Sequence, residues 1–171
     1  RLFAQERNLT PLALTLTASS CARGLVEREL RGLDEESAEL TPGERAWTLY
    51  GVDGARGEAE RGFPVALQAA DLLRQLEEGN DALSGRERAA QALLDILAGN
   101  SDSALAERVG LDGMLRVQAE AKAALLAGGV LTSEGREAVN ALDRRLREAG
   151  ASPRGAEVAL AAALFVRDLE A

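Results

Sequence analysis

The chain has 171 residues and a formal net charge of −8; 46% of its residues are apolar, only 3% are aromatic, and none is histidine. Length fits one domain with a real core, and the acidic balance disfavours binding to nucleic acid or to an anionic membrane surface. The lack of histidine excludes a Ser-His-Asp triad, a Cys-His dyad and any His-ligated metal within the chain, and the single cysteine, Cys21, excludes an internal disulfide and suits a reducing cytosol.

The chain opens on Arg1-Leu2-Phe3, which resembles the tail of an apolar helix, so upstream sequence is expected to be missing. Thr10-Pro11 reads as an N-cap and first helical residue. It opens an apolar run through Leu12, Leu16, Ala22, Leu25 and Leu30 that ends at Gly32 and Asp34-Glu35-Glu36. Cys21 lies within this run and reads as a packed core residue. Thr41-Pro42-Gly43-Glu44 is a second start, a capping box with proline at the first helical position.

Gly51 to Gly62 holds four glycines in twelve residues without sustained periodicity and reads as a loop. Phe63-Pro64 opens the next helix, which ends at a Gly79-Asn80-Asp81 turn. Ser84 to Glu87 is another capping box, and its helix runs to about Ala98. Gly99 to Ser103 is a polar hinge, followed by a long helix from about Leu111 to Leu126. Thr132-Ser133 starts a helix that ends at Gly150, and Ser152-Pro153 caps the last one, Gly155 to Leu169. That last helix is apolar almost all round and too short to span a membrane, so it reads as central in a bundle. The whole reads as all-α, a single bundle of about seven or eight helices with short loops and no internal domain boundary.

Three places carry groups suited to chemistry. In Gly51–Pro64, Arg56 and Arg61 offer forks for phosphate oxygens, and Glu58 and Glu60 could accept protons or ribose hydroxyl hydrogens, or face Mg²⁺ through water. The same residues also make an ordinary solvated interhelix loop. In Asn100–Ser103, Asp102 could be a metal ligand or general base, or a plain N-cap. At Ser152-Pro153-Arg154-Gly155, a capped helix start accounts for all four residues, and an anion site assisted by Arg154 is the other reading.

Taken in order, GARGEAERGFP at Gly54–Pro64, NSDSALAERVGLDGM at Asn100–Met114 and SPRGAEVALAAALF at Ser152–Phe165 resemble the triphosphoribosyl-dephospho-CoA synthase family. GLVEREL at Gly24–Leu30 and TPGERAWTLYGV at Thr41–Val52 resemble its connecting region. Arg56, Gly57, Glu58, Gly62, Phe63 and Pro64 keep the family pattern in the first motif. In the second, Asp102, Arg108, Gly110 and Leu111 match, while Ala104 and Val109 replace an Asn and a Gly. In the third, Ser152, Pro153 and Gly155 match, Arg154 and Ala156 depart, and Val158 stands at an Asp.

The resemblance implies a cytosolic, all-helical transferase. It would join ATP to 3′-dephospho-CoA with release of adenine and supply the prosthetic-group precursor of the citrate lyase or malonate decarboxylase acyl carrier protein. It implies that Glu58 and Asp102 are catalytic and position Mg²⁺ or the ribose hydroxyl, and that Arg56, Gly57, Arg108, Ser152 and Gly155 bind substrate or its phosphates. It also implies that residues 1–171 form the C-terminal portion, with the family's Asn-Thr-His-Lys-Gly segment upstream, and that this portion alone is inactive. An Ala/Leu-rich surface exposed by the loss of the upstream part could pair with a second copy. The alternative is a diverged, non-catalytic helical protein that binds a nucleotide or serves as a scaffold.

Overall fold

The computed structural model describes residues 18–34, 39–79 and 82–170. The fold is all-α, with no strand among the described residues. Residues 18–22 are helical, and eight further α-helices follow. These are α1 (Leu25–Glu29), α2 (Pro42–Tyr50), α3 (Gly54–Glu60), α4 (Pro64–Gly79), α5 (Gly85–Gly99), α6 (Ser103–Leu126), α7 (Ser133–Glu148) and α8 (Arg154–Glu170). A 3₁₀ turn at Gly129–Leu131 precedes α7.

The local start signals act as their chemistry requires. Thr41 and Ser84 each accept a bond from the backbone N–H three residues on, and Glu44 and Glu87 return the bond to the cap. Thr132 caps α7 through the Gly135 N–H. The expected start at Thr10-Pro11, and Glu35, Glu36, Asn80 and Asp81 of the expected turns, lie outside the described residues.

Four expectations are corrected. The Gly51–Gly62 segment is not a loop throughout, because Gly54–Glu60 is the helix α3. Each interior glycine costs about 1 kcal/mol of helix propensity, and contacts outside the segment, described below, overcome that cost. The long helix begins at Ser103, not near Leu111. It breaks once, at Gly110, whose φ of 75° and ψ of 168° suit glycine alone. The last helix is not enclosed all round: Val158 and Phe165 are about 60% exposed. Cys21 is exposed and not a packed core residue.

Alanine and leucine build the core. α4 lies against α8 and α5, α5 against α6 and α8, and α2 and α7 against α6. Leu73, Ile96, Leu97, Leu105, Met114 and Leu142 fill the centre, and Ala69, Ala70, Ala92, Ala106, Ala121 and Ala163 let helix axes approach closely. No helix among the described residues is long and apolar enough to cross a membrane.

Candidate functional site

Asp102 is the most buried acidic side chain of the described fold, 1% exposed. It is the N-cap of α6: Oδ1 accepts from the N–H groups of Ala104 at 3.0 Å and Leu105 at 3.1 Å. Oδ2 accepts from the Ala156 N–H in the first turn of α8, also at 3.0 Å. One carboxylate therefore closes the amino ends of two helices, where both backbone dipoles favour a negative charge. Burial still dominates its ionisation and raises its pKa, opposed by the amide bonds from Ala156, Leu105, Ala104 and Gly155. Gly155 makes the approach possible: a β-carbon there would stand 2.9–3.1 Å from the Asp102 carboxylate atoms.

The carboxylates of α3 do the same work on other helices. Glu58, 8% exposed, accepts at Oε1 from the Val65 N–H at 2.6 Å and the Ala66 N–H at 3.4 Å, in the first turn of α4. Glu60 accepts from the N–H groups of Gly24 and Val26 at the start of α1. These bonds pull the glycine-broken segment into a helix. Gly57 leaves room for Asp53, since a β-carbon there would fall within 2.4 Å of the Asp53 carboxylate and displace it from Arg61, with which it pairs at 2.6 Å.

The arginines are partly committed. Arg56 pairs with Glu29 at 2.7 Å and with Glu44 at 3.9 Å. Arg108 donates through Nε to the carbonyls of Ala149 and Gly150, just past the end of α7, and its side chain reaches the surface. Ser152 is exposed and donates its hydroxyl to Glu157 of α8 at 3.0 Å.

Between α3, the α5–α6 turn and α8 lies a cavity of about 50 Å³. Its lining draws on all three motifs: Ala55, Glu58 and Phe63 from the first, Asn100 from the second, Gly155 and Val158 from the third, with Ala66, Ala159 and Ala162. Phe63 holds a φ of 60°, an uncommon left-handed conformation for a bulky residue, at the rim of this cavity. Among the described residues that line it, Glu58 and Asn100 carry the polar side chains. Glu58 Oε2 and the Asn100 carboxamide make no hydrogen bond to any described residue, whereas the Asn100 backbone oxygen accepts from Gln118.

The structure thus brings Glu58 and Gly155 to one cavity and sets Asp102 directly behind Gly155. Arg56, Gly57, Arg108 and Ser152 are not among the residues that line it. In the sequence Asn100 stands in the polar hinge and opens the second motif, with no role of its own assigned to it. Its one signal is a carboxamide between a helix end and a buried cap.

Mg²⁺ finds few donors here. Both Asp102 oxygens are taken by backbone N–H groups, and among the described residues no group of three or more His, Cys, Asp or Glu could hold a metal ion. The described residues do not by themselves form a protein cage for the ion.

A family model described as CitG: ATP:dephospho-CoA triphosphoribosyl transferase matches residues 7–171. A curated relative, the probable 2-(5''-triphosphoribosyl)-3'-dephosphocoenzyme-A synthase of Pseudomonas syringae pv. tomato, is 40% identical over 134 residues. The match covers 78% of this chain and 45% of the relative, so it spans less than half of that protein's length. No solved structure matches.

Proposed function

This chain belongs to the ATP:dephospho-CoA triphosphoribosyl transferase family, and from that premise we propose that it takes part in joining ATP to 3′-dephospho-CoA with release of adenine. The observation that carries the reading is the cavity on which three distant segments converge with two buried polar side chains, Glu58 and Asn100, set in an apolar wall.

In this reading a ribose hydroxyl oxygen of dephospho-CoA attacks the anomeric carbon of the ATP ribose. The bond from that carbon to adenine breaks, its electron pair leaves with adenine, and the hydroxyl proton passes to a carboxylate. Glu58 is the candidate acceptor, because it lines the cavity and Oε2 is the oxygen not bonded to the start of α4. Asp102 acts as a positioning residue, since its oxygens hold α6 and α8 together. Arg56 is the candidate contact for the triphosphate, reached by exchanging Glu29 and Glu44 for phosphate oxygens. Arg108 offers its outer nitrogens in the same way. Mg²⁺ enters this reading only as the companion of the triphosphate, and no step rests on a protein-held ion. The product would serve as a carrier-protein prosthetic-group precursor, for citrate lyase or malonate decarboxylase, in the cytosol.

The test is to incubate the purified native protein with ATP and dephospho-CoA and to follow free adenine. The expected result is adenine release that needs both substrates. No release under saturating substrate overturns the reading.

One observation favours a second reading. Val158 is 60% exposed at the cavity wall and offers no polar group to a ligand. A non-catalytic relative that binds nucleotide without turning it over accounts for this, and calorimetry showing binding without adenine release would select it.

A further inference from the structure

Asn100 is 9% exposed, closes the carboxy-terminal end of α5 and lines the cavity, yet its carboxamide makes no hydrogen bond in the described fold. Its side-chain nitrogen and oxygen are not sealed from solvent, so water can satisfy them until a ligand takes its place. The neighbouring polar groups show the opposite pattern. Asp102 and Glu58 Oε1 are filled with backbone N–H groups. Two polar functions therefore remain open in one small, apolar-walled space: the Asn100 carboxamide and Glu58 Oε2.

Their chemistry narrows what fits. Glu58 Oε2 only accepts when ionised, and the Asn100 carboxamide both donates and accepts. A phosphate or carboxylate placed here would meet the Glu58 charge in a low-dielectric wall. A cavity of about 50 Å³ has room for a few water-sized groups. A neutral hydroxyl fits, because it donates to Glu58 and accepts from Asn100 at once. The carbon that bears it would lie against Ala55, Ala66 and Ala159.

We propose that Asn100 and Glu58 form a subsite for one ribose hydroxyl of the acceptor nucleotide, with the Asn100 amide donating to the hydroxyl oxygen and Glu58 Oε2 accepting its proton. The identity of the sugar rests on the transferase reading above; the preference for a neutral hydroxyl rests on the cavity alone.

The experiment compares 3′-dephospho-CoA with its 2′-deoxyribose counterpart by calorimetry, on the native protein and on Asn100→Ala. The native protein should bind the ribose form about tenfold more tightly, the range expected when a site built to bond a hydroxyl meets a ligand without one. Asn100→Ala should bind both forms alike. It should also melt at or above the native temperature, because the carboxamide it removes bonds no described residue. An unchanged ribose preference in Asn100→Ala, no preference or no binding in the native protein, or a lowered melting temperature each overturns the subsite. Adenine release separates the two proposals. Ribose preference lost in Asn100→Ala without any adenine release by the native protein keeps the subsite and removes the transferase. Adenine release with an unchanged preference in Asn100→Ala does the reverse.

Discussion

The Asp102 carboxylate lies in the space that a side chain on residue 155 would occupy, 2.9–3.1 Å from the position of its β-carbon. The same carboxylate accepts the Ala156 N–H from 54 residues away in sequence. Gly155 is thus matched to Asp102, and the second and third motifs are two halves of one helix-to-helix joint.

Gly155→Ala tests that joint. Alanine is ordinarily the better helix residue, by up to about 1 kcal/mol. Here the new methyl would press on a carboxylate already held by backbone N–H donors of two helices. We expect a net loss of about 1–3 kcal/mol, read from urea unfolding midpoints. A variant as stable as the native chain would show that Asp102 can move aside.

Asp102 should also leave a signature in pH. Burial raises its native pKa above the ordinary value of 3.8. The folded chain therefore holds this proton more tightly than the unfolded one, and the resulting stabilisation is complete below the unfolded pKa and lost as pH rises through the native one. Glu44 and Glu87 work in the opposite sense. Their bonds to Thr41 and Ser84 lower their pKa values from 4.5, so their contribution holds above that value and fades as pH falls. Asp102→Asn keeps Glu44 and Glu87 and removes the Asp102 titration. Urea unfolding of both proteins from below to above the ordinary Asp range should show the native chain losing ground to the variant as pH rises. A constant difference would contradict a raised Asp102 pKa.

Glu58→Gln separates capping from chemistry. The new amide oxygen can still accept from Val65 and Ala66, so the fold should lose no more than about 1.5 kcal/mol. Proton acceptance is lost, and adenine release should fall by roughly 10²–10⁴-fold. Near-native release would leave Glu58 as a helix cap only.

Arg56→Ala asks whether the first motif contacts phosphate. Its pairs with Glu29 and Glu44 are partly exposed, so stability should change by less than about 1 kcal/mol. Loss of a charge-assisted bond to the triphosphate should weaken ATP binding by roughly tenfold or more, measured by calorimetry. Unchanged affinity would confine Arg56 to its ion pairs.

Much of the architecture was legible along the chain. Thr41 with Glu44, and Ser84 with Glu87, mark their helices because a capping box closes within one turn and needs nothing from elsewhere. The Ala/Leu composition and the all-α class follow from similarly local preferences. The glycine-broken segment was misread because its helix is held from outside, by Glu60 on the Gly24 and Val26 N–H groups and by Glu58 on α4. The last helix was misread because its composition is apolar all round, while packing covers only part of its surface and leaves Val158 and Phe165 in solvent.

The sequence by itself determined the helix starts that a capping box or proline marks, and which acidic residues stand beside those starts. Only the tertiary structure decided what each acid touches. Asp102 serves two helices, Glu58 divides its oxygens between a helix end and a cavity, and Asn100 is left with an open carboxamide. The physical reason is that a cap bonds whichever N–H group is nearest in space. For a carboxylate buried among packed helices, that group can belong to a distant part of the chain.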